Sequence, residues 1–84
     1  VAAKNIQRGG SYTGQLDLTP AQWNVLRRVN LGLLNKQIAF ELGIAEATVK
    51  THMTAVMRKL NVRTRTQAAI AVDVLRLKGD IRFD

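Results

Sequence analysis

Between Lys50 and Arg65 the chain carries five cations (Lys50, Arg58, Lys59, Arg63 and Arg65) and no carboxylate. Its acids lie elsewhere, at Asp17, Glu41, Glu46, Asp73, Asp80 and Asp84. Thirteen Lys and Arg against six Asp and Glu give a formal charge of +7. A field of that sign draws a polyanion, and it suits a nucleic acid, an acidic membrane surface or an acidic protein. Other chemistry has little to work with. With one histidine, no cysteine and scattered acids, no acid–base pair, activated nucleophile, metal cluster or phosphate loop can be assembled. We therefore expect no enzyme, no catalytic residue, no cofactor and no metal. No apolar run approaches the roughly 18 residues of a membrane span, and no signal-peptide pattern is present. The absence of cysteine fits a reducing cytoplasm.

The elements that must position those cations are legible in the residues just before and among them. Asn35 to Ile44, running on through Thr48-Val49-Lys50-Thr51-His52, has the spacing of two short helices joined by a tight turn. Ala39 is small where the helices cross, Ile38 and Leu42 fill the crossing, and Ile44 and Val49 anchor the second helix inward. Gly43 supplies the turn, since glycine enters the left-handed region without a side-chain clash. This is a helix-turn-helix pattern, which makes DNA the first partner to consider. The generic pattern has an apolar residue where this chain has His52.

Around that pair the chain reads as all-α, with four helices and no strand. Thr19 as N-cap, Pro20 at the first helical position, Gln22 closing a capping box and Leu18 stapled on Trp23 start the first helix, which stops near Leu31 at Gly32. The second runs from Asn35, as N-cap, to about Leu42. The third runs from about Glu46 to Leu60, with Asn61 as a left-handed terminator. At ~100° per residue, Val49, Met53, Val56 and Leu60 share one face and Ala47, Thr51, Thr54 and Arg58 the opposite one. Thr64 and Gln67 open a fourth helix that continues to about Lys78 and stops at Gly79. Its apolar residues occupy two faces. Ala68, Ala71, Val72 and Leu75 suit the inward one, leaving Ile70, Val74 and Leu77 as an outer stripe that asks for a partner. A self-complementary contact making a homodimer on DNA is the expected use. Residues 1–16, with Gly9, Gly10, Ser11, Thr13 and Gly14, read as linker, Val1–Ile6 being the end of an upstream helix. Residues 17–84 read as the domain. Eighty-four residues at 46% apolar content suit one small domain with a modest core. The chain starts at Val1 rather than Met and is read as a fragment or processed product.

Leu18-Thr19-Pro20, Gly32-Leu33, Asn35-Lys36-Gln37-Ile38-Ala39, Leu42-Gly43-Ile44, Thr48-Val49-Lys50-Thr51-His52, Lys59-Leu60 and Arg63-Thr64-Arg65-Thr66-Gln67-Ala68 together resemble the LuxR/FixJ-type DNA-binding domain of bacterial transcription regulators. His52, which departs from the generic pattern, is what this family usually carries. The resemblance implies a four-helix domain whose third helix enters the major groove and whose fourth often forms a dimer contact. By position it implies that Lys50, Thr51 and Thr54 face the bases, with a methyl contact from Ala47. Lysine can donate to guanine O6 and N7, and threonine offers a hydroxyl or a methyl. Asn35, Lys36, Thr48, Arg58, Lys59, Arg63 and Arg65 are expected to bind phosphate, which fixes register rather than sequence. The chain departs from the family in two places. Ala21, Gln22 and Asn24 stand where Arg-Glu and a further acid are common, and Ala45 replaces the usual Ser before the third helix.

Plainer readings compete at several positions. Lys50, Arg58 and Lys59 alone would pass for a solvated helix face, Thr51 and Thr54 for a water-filled gap, and Trp23, Met53 and Met57 for packing. His52 is expected to make a structural hydrogen bond. Gln7-Arg8-Gly9-Gly10-Ser11-Tyr12 resembles the segment that follows receiver domains in two-component response regulators, which implies an upstream receiver. A ligand-sensing quorum regulator is the alternative. A basic adaptor module that binds an acidic protein such as RNA polymerase is a third reading. A membrane-surface role is disfavoured, because the fourth helix carries Asp73 and only two cations near its end.

Overall fold

The computed structural model describes residues 17–79, and within them the chain forms α1 (Pro20–Asn30), α2 (Asn35–Leu42), α3 (Glu46–Leu60) and α4 (Arg65–Leu77), with no strand among the described residues. The expected linker over 1–16 and the residues beyond Gly79 lie outside this description.

Two helices begin at reciprocal caps. In α1 the Gln22 amide donates to Thr19 Oγ1 at 3.1 Å while the Thr19 amide donates to Gln22 Oε1 at 3.0 Å, and Pro20 needs no partner for a missing N–H. In α4 the Gln67 amide donates to Thr64 Oγ1 at 3.0 Å, and Gln67 Oε1 accepts from the amides of Thr64 and Arg63 at 3.2 and 2.8 Å. The expected start of α2 is corrected. Its cap is Leu34, extended at φ −80°, ψ 157°, and Asn35 is the first helical residue. Gln37 Oε1 accepts from the Leu34 amide at 2.7 Å. The Asn35 oxygen does not cap because the Arg65 guanidinium takes it, together with the Leu33 carbonyl.

The turn of the helix pair is closed at Gly43, with φ 68° and ψ 35°. There the Ile44 amide donates back to the Ala39 carbonyl at 3.0 Å and Gly43 to Phe40 at 3.3 Å, which satisfies carbonyls a helix end leaves open. Asn61 does the same for α3 at φ 60°, and the Val62 amide reaches the Met57 carbonyl at 3.0 Å. Asparagine is among the few residues with a side chain that tolerate this region.

α3 and α1 each pack against all three other helices, whereas α2 and α4 do not pack on one another. The core therefore sits between α1 and α3. Val25, Leu26 and Val29 of α1 meet Val49, Met53 and Val56 of α3, with Ile38 and Ala39 closing one side and Ala68 and Val72 the other. Leu18, Trp23, Ile44, Leu60 and Leu75 pack partly buried against this cluster. Side chains of the size of Leu26 and Ile38, both 0% exposed, each contribute about 1.5 to 3 kcal/mol on burial. That burial holds an eight-residue helix such as α2, which is too short to persist on propensity.

A candidate nucleic-acid interface

The inward residues of α3 leave its opposite face free. Val49, Met53 and Val56 are buried, while Ala47, Thr48, Lys50, Thr51, Thr54 and Arg58 are exposed. About half a turn of rotation separates the buried set from Ala47, Thr51, Thr54 and Arg58, while Thr48 and Lys50 lie on the two flanks of α3, as 100° per residue requires. Thr51 Oγ1 donates to the Ala47 carbonyl and Thr54 Oγ1 to the Lys50 carbonyl, both at 3.0 Å. Among the described residues the Lys50 ammonium meets no acceptor, and the same holds for Lys36, Arg58 and the Arg63 side chain. Among the described residues no carboxylate or carbonyl satisfies these four charges.

The remaining cations of the expected set hold the domain together. Lys59 donates to Gln22 Oε1 at 2.9 Å and also to the Asp17 carbonyl, so it ties the end of α3 to the start of α1. Gln22 is 8% exposed, and its one oxygen receives both the Thr19 amide and this ammonium. Arg65 is half-buried and spans from α4 to Asn35 and Leu33, linking the two helices that do not otherwise pack. Elsewhere, Arg28 pairs with Glu41 at 2.8 Å and Asp73 accepts from Asn30 at 2.8 Å. These contacts engage two of the acids away from the outward face of α3.

At the start of α3, Ala45 adopts the extended cap geometry (φ −73°, ψ 151°) but offers no side-chain acceptor. The Thr48 backbone amide donates to the Ala45 carbonyl at 3.0 Å, and no side chain caps this helix start. Glu46 is the acidic residue of this first turn and compensates the helix dipole there. His52 is half-buried. The hydrogen bond expected of its ring is not found among the described residues.

On α4, Ile70, Val74 and Leu77 are 56%, 47% and 89% exposed, against buried Ala68 and Val72. Three exposed apolar residues, Leu31, Leu34 and Phe40, escaped the sequence reading. Phe40 is 88% exposed and borders a shallow hollow with Leu33, Lys36, Gln37 and Glu41. The signal was present, since Phe40 lies about 200° around the helix from Ile38. No group of His, Asp or Glu among the described residues could hold a metal, and no helix among them is long and apolar enough to cross a membrane.

Comparison with known proteins agrees with this architecture. The family described as "Bacterial regulatory proteins, luxR family" matches residues 16–72. The chain is 50% identical over 66 residues to a glycerol metabolism activator of Pseudomonas putida, covering 79% of this chain and 27% of that protein. It is 49% identical over 72 residues to the two-component response regulator PprB of Pseudomonas aeruginosa, covering 86% of this chain and 26% of that one. Among solved structures, the DNA-binding domain of the response regulator ComA, in complex with the anti-activator RapF, superposes with a TM-score of 0.64 at 32% identity, over 67% of this chain and 97% of that one. The chain spans about a quarter of the length of the curated relatives it matches. With a family match over most of the chain, relatives at about 50% identity and the same fold in the ComA domain, the chain belongs to the luxR family of bacterial regulatory proteins and carries a LuxR-type helix-turn-helix DNA-binding domain.

Proposed function

We propose that this domain is the DNA-reading effector of a two-component response regulator, acting in the bacterial cytoplasm under the control of an upstream receiver domain. The observation that carries the DNA-reading part is the outward face of α3. Lys50, Thr51, Thr54 and Ala47 stand exposed over a helix whose other side is fixed by Val49, Met53 and Val56. Such a helix can enter the major groove without loosening the core. Lys50 is the reader of guanine in this scheme. Lys36, Arg58 and Arg63, which meet no acceptor among the described residues, bind phosphates, and Asn35 and Thr48 present polar groups at the edge of that surface. Lys59 and Arg65 act mainly as struts, so their positive charge adds to the field more than to direct contacts. The receiver is supported by relatives such as PprB and by the Gly9-Gly10-Ser11-Tyr12 resemblance.

Two domains are expected to pair on DNA through Ile70, Val74 and Leu77. A two-fold contact between α4 helices would set two reading helices on half-sites about one helical turn apart. Selection of duplexes from a random pool by the chain tests the reading. One enriched motif, present in two opposed copies, is expected. A pool with no enriched sequence would refute it.

A protein partner is a second reading, favoured by exposed Phe40 between Lys36 and Glu41 and by the anti-activator bound to the ComA domain. Titration with purified RNA polymerase tests it. Binding that Phe40→Ala removes while duplex affinity is kept would support it.

A further inference from the structure

The hydroxyls of the reading face are already committed. Thr51 donates its proton to the Ala47 carbonyl and Thr54 to the Lys50 carbonyl, each at 3.0 Å. A hydroxyl has one proton to give, so what each oxygen still offers outward is acceptor capacity alone. The same bond selects one of the two side-chain rotamers open to a helical threonine. It thereby fixes the γ-methyl beside the oxygen. Each threonine thus presents an acceptor and a methyl, next to Lys50, which can only donate.

Base pairs differ in how they meet such a face. Guanine shows two acceptors, N7 and O6, which suit Lys50 and oppose a threonine oxygen. Adenine shows the N6 amine and its partner thymine a methyl. An A·T pair therefore answers both groups of a back-bonded threonine, whereas a G·C pair answers the acceptor through cytosine N4 and leaves the methyl without a partner. We infer that Thr51 and Thr54 are specificity-determining residues that select A·T pairs beside a guanine read by Lys50. The inference rests on the DNA-reading function proposed above and adds to it the class of site.

The test uses a duplex enriched from a random pool by the chain, then altered one atom group at a time. Replacing an adenine by purine removes the 6-amine, and replacing a thymine by uracil removes the methyl. In the wild-type chain, each change at the pairs flanking the guanine should weaken binding about three- to tenfold. In Thr51→Val and Thr54→Val, which keep a methyl and lose the acceptor, the purine penalty should vanish at one pair each and the uracil penalty remain. Thr51→Ser and Thr54→Ser should show the reverse. Helical content by circular dichroism should be unchanged in all four, because both positions are exposed. Enrichment of G·C pairs at the flanking positions would overturn the inference while leaving DNA reading intact. So would purine and uracil penalties that the variants share with the wild type. A pool that enriches no sequence would instead remove the DNA reading itself.

Discussion

Lys50 and Lys59 are both exposed lysines of α3, yet among the described residues only the second has hydrogen-bond partners. Lys50→Ala should cost about 1 to 3 kcal/mol on the preferred duplex and flatten the preference at one base pair. A uniform loss across all duplexes, measured by anisotropy titration, would show that Lys50 binds phosphate instead. Arg63 and Arg65 invite the same contrast. Arg63→Ala should weaken all duplexes about equally and leave the melting temperature alone. Arg65→Ala should destabilise the fold by about 1 to 3 kcal/mol, because it strips a charged bond from Asn35 and the Leu33 carbonyl. Thermal unfolding of the two variants side by side checks this, and an Arg65→Ala domain as stable as wild type would contradict it. Charge was legible in the sequence at all these positions. Which cations were free was not, because the partners of Lys59 and Arg65 lie roughly 30 to 40 residues away along the chain and no local pattern announces them.

At the scale of the helix, what reads correctly is what is local. The Thr19–Gln22 and Thr64–Gln67 boxes span three residues each, so the sequence alone places the starts of α1 and α4, and Gly43 and Asn61 place two of the ends. The start of α2 fails for the opposite reason. Asn35 has the chemistry of a cap, but a guanidinium from α4 claims its oxygen and the chain turns at Leu34 instead. The start of α3 offers a test of the same physics. Ala45 already has cap geometry with no acceptor, so Ala45→Ser should stabilise the domain by roughly 0.5 to 2 kcal/mol. Denaturant unfolding with no gain would mean that solvent satisfies those amides equally well. On α4 the inward and outward faces follow the expected division, with Ala68 and Val72 buried and Ile70, Val74 and Leu77 exposed. Val74→Glu should abolish cooperative binding to a duplex with two half-sites while sparing a single half-site. Cooperativity that survives would place the pairing surface elsewhere.

For the molecule as a whole, a formal charge of +7 and a reading face free of carboxylates between Lys50 and Arg65 predict strong attraction to any duplex. Attraction alone is not recognition. On the proposed function, Lys36, Arg58 and Arg63, which meet no acceptor among the described residues, supply a term that releases counterions and carries no sequence information, and α3 adds the difference between one sequence and another. The central claim is that both terms exist. It is tested most directly by titrating the chain against its selected duplex and a scrambled duplex of equal length over a series of salt concentrations. Affinity for both should fall with salt, with a log–log slope of about −0.9 per neutralised phosphate, while the selected duplex stays the tighter of the two throughout. Equal affinity for the two duplexes at every salt concentration would contradict the account.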